Sequence, residues 1–424
     1  MTTDARHDAI SRFVDGHFAD ECSFLAELVK VPSDNPPGDC AAHARRAKEL
    51  LERLGLDVMA DSVPDADVRT NGMISATNLI VRQRFGSGGL TIALNAHGDV
   101  VPPGEGWTHD PYGAEVVDEP GKGATMFGRG IAVSKSDFAT YAFGLLALRD
   151  LAAAGAPLNG TVELHLTYDE EVGGEIGPRR LLEKGLSKPD LAISAGFSYA
   201  VTTAHNGCLH LEVVVRGRQG HAAMPERGVD ALAAANRILT ALYASREALK
   251  AHTSKTQGIT HPTLNVGLIE GGINTNVVPD RVTFRIDRRI IPEESPAAAE
   301  AELRALIESA AAGCAGITTE IRRLLLSLPL VKLPGAERLT RVLQSRGEEF
   351  FGAPIAEHGV PIYTDARHYT SAGIPTVLYG AGPRTLAEAN GHAADEKLHL
   401  EDLRRATKTV AAALADLLDE RAAN

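Results

Sequence analysis

The sequence predicts an α/β fold: a mainly parallel sheet covered by helices, with a small α+β unit inserted into it. Three observations predict it. Over the first half, short apolar strands alternate with amphipathic helices, the pattern of a parallel sheet buried on both faces. After His205-Asn206-Gly207 the order becomes strand, helix, strand, strand, helix and a further strand, which is ferredoxin-like. At 424 residues the chain is also too long for one ordinary domain. The expected boundaries are 1–207 for the first part of the main domain, 208–322 for the insert and 323–424 for the second part.

Each element has its own signal. Ala9 to Val31 carries Ile10, Phe13, Phe18, Leu25, Leu28 and Val29 on one stripe and reads as a helix, ended by Pro32 and the Pro36-Pro37-Gly38 loop. Ala41 to Leu56 is a helix by its Ala, Arg, Glu and Leu content. Asn78 to Gln83 and Leu90 to Ala96 read as strands, Ala139 to Ala154 as a helix, and Thr161 to Tyr168 as a strand. In the insert, Leu209 to Arg216, Thr263 to Ile269 and Arg281 to Ile286 read as strands, with a turn at Glu270-Gly271-Gly272. Asp230 to Ala251 and Pro296 to Ala312 read as helices, the proline sitting where a missing N–H costs nothing. Ile317 to Leu324 is a further candidate strand. The remainder gives a helix, a strand at Thr376 to Tyr379, a Gly/Pro loop and a last helix from Leu400.

Composition narrows the function. Apolar residues make up 44% and charged residues 23%, as in globular proteins. The net charge of −12 argues against a nucleic-acid partner, which needs a basic footprint. No apolar stretch reaches membrane-spanning length and the N-terminus lacks a signal-type apolar run, so no membrane partner is expected. Cys22, Cys40, Cys208 and Cys314 have no short paired spacing, which argues against a thiolate zinc site or a disulfide framework and fits a reducing, cytoplasmic setting.

The strand Thr161 to Tyr168 runs into Asp169-Glu170-Glu171 and then Val172-Gly173-Gly174. A strand end that delivers adjacent carboxylates to a glycine turn suits a ligand site, because open α/β sheets bind at the carboxyl ends of their strands. Carboxylates placed together repel unless a metal or a shared proton holds them. A solvated acidic turn would look the same. His97-Gly98-Asp99 follows another buried strand. Asp99 is close enough to fix one imidazole nitrogen, as metal-binding histidines require, although a strand-capping histidine is the simpler alternative. His392-Ala393-Ala394-Asp395-Glu396 precedes the last helix and could equally be a capping loop.

Together these residues resemble the metallopeptidase family of carboxypeptidase G, succinyl-diaminopimelate desuccinylase, acetylornithine deacetylase and aminoacylase. The marks stand in order along nearly the whole chain: His97-Gly98-Asp99, Trp107 to Pro111, Gly128-Arg129-Gly130 with Lys135, Asp169-Glu170-Glu171, Gly217 to His221, Gly271 to Pro279, Asp287 to Arg289, Thr364-Asp365 and His392 to Glu396. The resemblance implies a zinc-exopeptidase-like main domain that is catalytic and an insert that acts as lid and dimerisation unit. It implies His97, Glu171 and His392 as metal ligands, Asp99 behind His97, and Glu170 as general base. His221 would stabilise charge in a partner subunit's site, and Asn276 and Arg289 would grip a substrate carboxylate. The implied assembly is a homodimer or higher homo-oligomer, and the implied partner a small molecule bearing a carboxylate.

The sequence departs from this pattern in one place. Family members usually hold two metals bridged by an aspartate, and that position is Val133. The second acidic ligand falls in Ala195-Gly196-Phe197, which has no carboxylate. His97 alone could not hold a second ion, so one divalent transition metal (manganese, zinc or cobalt) is expected. Asp137 could substitute as a ligand or cap the helix that follows, and capping is preferred. The expected function is metal-dependent hydrolysis of a carbon–nitrogen bond. Deamination of an aromatic amino acid, as in 5-nitroanthranilate aminohydrolase, comes first, and an N-acyl-amino-acid deacylase or small-peptide hydrolase is the alternative. A metal-free binding relative is a second alternative, against which the retention of Glu170, Arg289 and His221 argues.

Overall fold

The computed structural model describes residues 2–132 and 134–419. The chain divides into two compact units. The first comprises Met1–Thr203, Lys332–His358 and Thr364–Asn424; the second comprises Ala204–Val331 and Gly359–Tyr363. The sequence marks 208–322 for the insert, and the second unit is longer at both ends. There His205 and Leu330 exchange backbone hydrogen bonds (3.3 and 3.1 Å) and pair the two connecting segments. Gly359 N–H donates to Gln257 O at 2.7 Å and Asn206 N–H to Val360 O at 3.2 Å, which ties in the second piece.

The first unit contains an eight-stranded sheet. Its order is Val58–Ser62, Thr77–Phe85, Gly160–Thr167, Leu90–His97, Leu191–Ser194, Thr376–Leu378, Ala200–His205, Ala356–Val360. The third to sixth strands run parallel. The first two pairings, and that of Thr376–Leu378 with Ala200–His205, are antiparallel. The parallel strands are the ones whose residues are buried on both faces: Ile92, Ala93 and Leu94 in one, Val162 and Leu164 in its neighbour. The helix Lys135–Ala153 packs against Thr3–Val29 and Leu400–Leu417, and its own side chains are almost all buried. It begins at Lys135 rather than Ala139 because Ser136 and Asp137, polar as they are, lie inside the fold.

A small sheet of Lys397–His399, Gly123–Phe127 and Glu115–Glu119 was not expected. Its outer strand is largely exposed and shows no clean alternation, so the sequence carries little strand signal there. Its placement matters, because it leads directly into Gly128-Arg129-Gly130 and directly follows His392 to Glu396.

The second unit is a four-stranded antiparallel sheet in the order Thr263–Gly271, Arg281–Ile290, Gly207–Arg216, Thr318–Ser327. Together with the helices Ala231–Leu249 and Pro296–Ala312, this is the ferredoxin-like βαββαβ arrangement. Leu209, Leu211, Val213 and Val215 pack with Phe284 and Ile286 under the helices. The expected turn at Glu270-Gly271-Gly272 is instead the end of a strand, and residues 272–280 form a longer connection that carries Asn276. Among the described residues no helix is long and apolar enough to cross a membrane.

One buried acid gives this fold a pH signature. Glu21 is fully buried in Thr3–Val29 and accepts from Thr407 Oγ1 of the last helix; its second oxygen meets no donor among the described residues. Burial pushes its carboxyl up to about 8. The folded chain therefore keeps a proton that the unfolded chain releases, and stability falls as pH rises from about 4.5 to about 8. The neutral variant Glu21→Gln should raise Tm above about pH 8 and give little or no gain near pH 4. Thermal melts across this range check it; a gain that does not change with pH would contradict it.

Candidate metal centre

Two parallel strands in register, Leu90–His97 and Gly160–Thr167, bring His97 opposite Thr167 and end on the same edge of the sheet. The chain after His97 must pass close to Tyr168. A Cβ on Gly98 would lie 2.5 Å from the tyrosine ring, so only glycine fits.

Asp99 is fully buried and organises the residues around it. Its carboxylate accepts from the backbone N–H of Glu170 (3.3 Å) and Glu171 (3.1 Å) and from Asn35 Nδ2 (3.0 Å). His97 Nδ1 lies 2.9 Å from the Asp99 carbonyl oxygen and 3.4 Å from its carboxylate. These partners occupy Nδ1 and leave Nε2 as the nitrogen for a ligand. Glu170–Val172 forms one 3₁₀ turn, and Gly173 and Gly174 come next with φ of +117° and +68°. The tight turn allows adjacent glutamates, which a strand would send to opposite faces, to reach one place.

Donor atoms of His97, Glu170 and Glu171 lie within 4.8 Å of one another. His392 Nε2 lies 3.7 Å from Glu171 Oε1. That is long for a hydrogen bond and close to the roughly 3.3–3.5 Å expected between two ligands of one tetrahedral ion. His392 is held at φ +63°. The structure thus brings His97, Glu171 and His392 into one neighbourhood, and it places Glu170 inside the tightest group.

Acids crowd this site. Burial raises the carboxyls of Glu170 and Glu171 and His97 opposes the rise; Glu171 and Asp99 add to it at Glu170, and Asp99 and Glu396 add to it at Glu171. Burial disfavours an imidazolium at His97, but Glu170, Asp99 and Glu171 outweigh it and raise its pKa. Asp365, which the sequence offers only as part of a motif, is buried beside them. Burial and Glu170 push its carboxyl up, and it accepts from Thr167 Oγ1 at 3.3 Å. Asp169 turns the other way and accepts from Ile176 N–H at 2.7 Å. Arg367 donates to the carbonyl of Gly173 and, with His97, opposes the rise at Glu170 and Asp365. Such a group of buried carboxyls around an imidazole suits a divalent cation.

Two latches hold the His392 loop. Glu396 accepts from Arg129 Nη1 (2.6 Å) and from Ala132 N–H (3.1 Å), both groups buried. Asp395 accepts from Thr108 N–H and Oγ1 (2.8 Å each) and from His109 N–H (3.1 Å). The motifs around Arg129 and Trp107 therefore position the loop.

The two departures from the family pattern have different outcomes. Val133 lies outside the described residues. Gly196 has no room for a side chain: a Cβ would come within 2.7 Å of Leu378 Cβ and 2.8 Å of Tyr379 N. Asp137 does not cap its helix as preferred from sequence. It sits inside the first turn, makes no capping bond, and accepts from the distant Ala381 N–H at 2.8 Å. Burial pushes its carboxyl up to about 7.

The remaining predicted residues belong to the second unit. The backbone of His221 pairs with Val277, and Ala222 N–H donates to Asn276 O at 3.0 Å, so the His221 and Asn276 segments lie side by side and exposed. Arg289 is elsewhere on the sheet, paired with Asp287.

The model of peptidase family M20/M25/M40 matches residues 93–416. The chain belongs to this family. An acetylornithine deacetylase of Myxococcus xanthus is 29% identical over 352 residues, covering 81% of this chain and 84% of its own. The dipeptidase Dug1p of Saccharomyces cerevisiae superposes with a TM-score of 0.76 at 14% identity, over 99% of this chain and all of its own. The YXEP protein of Bacillus subtilis, a dinuclear metal-binding peptidase of family M20, superposes with a TM-score of 0.66 at 19% identity, over 95% and 99%. Like its family, this M20 chain is a metal-dependent hydrolase acting on carbon–nitrogen bonds.

If Asp99 orients the M20 site as its bonds indicate, Asp99→Asn should weaken metal binding by about 10–100-fold, because the amide puts a donor in place of an acceptor opposite one of the two backbone N–H groups. Calorimetric titration with zinc or manganese measures this. Unchanged affinity in a folded variant would remove Asp99 from that role.

Proposed function

We propose that the chain hydrolyses the amide bond of a small N-acyl amino acid or dipeptide, using one divalent ion held by His97, Glu171 and His392. One observation carries this reading: the convergence of His97 and Glu171 beside His392 and Glu170 at a strand edge, in a chain of family M20. The donor set suits manganese, zinc or cobalt. A single ion is supported by Gly196, which offers no carboxylate and no space for one. The sequence reading puts deamination of an aromatic amino acid such as 5-nitroanthranilate first. The comparisons favour its alternative, because the relative matched over four-fifths of the chain is named as a deacetylase.

When bound, the ion supplies Lewis acidity at the scissile carbonyl and acidifies water within its reach. Glu170 removes the proton from the attacking water and returns it to the departing nitrogen. Its carboxyl is raised by burial and by the acids beside it, and a cation held among them would lower it again into the range of a base. Asp99 keeps His97 and both glutamates in place throughout. In this reading Arg289, whose planar fork suits a carboxylate, and Asn276 are assigned to the acid end of the substrate, and His221 of the partner subunit to the developing oxyanion.

Glu170→Gln should lower kcat on N-acetyl amino acids or dipeptides by roughly two to four powers of ten with metal affinity retained. Near-normal turnover would place the base elsewhere, and loss of the metal would make Glu170 a ligand.

The same reading includes a homodimer built by the second unit and a cytoplasmic location, the latter supported by the absence of short paired cysteine spacing. The strand Thr263–Gly271 is a sheet edge, and Leu232, Ile269 and Ile273 beside it are exposed by half or more. Mixing inactive His221→Ala and Glu170→Gln chains should restore part of the activity if His221 serves the partner's site. Verified hybrids without recovery would rule out a shared site.

A further inference from the structure

The second unit carries a cluster that the hydrolytic reading leaves unused. On the strand Gly207–Arg216, Cys208 and His210 point to the same face, opposite the one on which Leu209 and Leu211 enter the core. The register with Arg281–Ile290 sets Asp287 across from His210 and Arg289 across from Cys208. Cys208 Sγ lies 3.2 Å from His210 Nε2, the same Nε2 lies 3.2 Å from Asp287 Oδ2, and Sγ lies 3.8 Å from Asp287 Oδ1.

The use of a single ring nitrogen decides between two readings. A catalytic thiol–imidazole–carboxylate relay needs both nitrogens, one facing the thiol and the other the acid. Here both partners face Nε2, so the imidazole cannot pass a proton from one to the other through its ring. Three donor atoms instead surround one point. Bond lengths of about 2.3 Å to sulfur and about 2.0–2.2 Å to nitrogen or oxygen put tetrahedral ligands roughly 3.3–3.7 Å apart, close to the separations seen. Cys208 is buried while His210 and Asp287 are part-exposed, so the point is reachable from the solvent side.

We infer that Cys208, His210 and Asp287 form a second cation site, selective for a borderline-soft divalent ion such as zinc. A thiolate beside an imidazole selects zinc or cadmium over manganese and magnesium, unlike the sulfur-free centre of the first unit. Arg289 also binds Asp287, Nε to Oδ1 at 2.9 Å and Nη2 to Oδ2 at 3.1 Å. The carboxylate has lone pairs for both, so the ion joins the pair without displacing the arginine. Three protein ligands leave a fourth position for water or an added donor. This inference is independent of the amide-hydrolase reading.

Cadmium is the probe, because its sulfur-to-metal charge-transfer band in the ultraviolet reports thiolate ligation alone. Titrating the full-length protein should give a band whose saturated intensity corresponds to one thiolate-bound cadmium per chain and which is competed away by zinc. The band should vanish in Cys208→Ser, persist in Glu171→Gln, and need at least about tenfold more cadmium in His210→Ala. Circular dichroism confirms that each variant is folded. If Cys208→Ser does not fold, the His210→Ala shift decides. No band, a band surviving in Cys208→Ser, or an unshifted His210→Ala titration would overturn the site and leave a hydrogen-bond chain from Arg289 to Cys208.

Discussion

The site depends on one buried carboxylate accepting two backbone N–H groups. Asp99 receives Glu170 and Glu171 through their amides while its own carbonyl holds His97. Two strand ends that are merely adjacent in the sheet become a single rigid object. The imidazole is turned and the glutamate turn is pinned by the same residue, so neither can shift without the other. Bonds to a charged acceptor are the stronger kind, about 1.5–3 kcal/mol each, and they are shielded from water here.

The third component, the His392 loop, arrives from near the other end of the chain. It is held by Arg129–Glu396 and by Asp395 with the Thr108 and His109 amides. Breaking a buried ion pair by removing one partner typically costs about 3–5 kcal/mol, because the other charge is stranded. The loop residues themselves sit at positive φ at His392 and Asp395, a conformation that persists only when surroundings impose it. Fixing the loop at Asp395 and Glu396, beyond the imidazole, leaves the His392 side chain itself exposed.

What could be read from sequence was what the chain encodes locally. His97 and Asp99 are two residues apart, and Glu170 and Glu171 are adjacent at a strand end, so spacing sufficed. The helices and strands of the insert were visible by periodicity, because one face is core and the other solvent. Asn35 and Arg367 were invisible, since each meets the site from a distant segment with no local pattern. Asp137 shows the opposite failure. A polar residue at a helix start ordinarily caps it, but here the carboxylate reaches Ala381, 244 residues away. The small sheet beside the site was missed because its outer strand is too exposed to alternate.

The tight seat of Gly196 bears on how this site could be re-engineered. A Cβ there would meet Leu378 Cβ at 2.7 Å and the backbone N of Tyr379 at 2.8 Å. A single substitution at 196 would therefore press on main-chain atoms, which cannot swing aside as a flexible side chain could. Adding a donor at this point calls for a shift of the strand ends as well as a change of residue, so new ligand chemistry is more easily built on the side chains that already converge around Asp99.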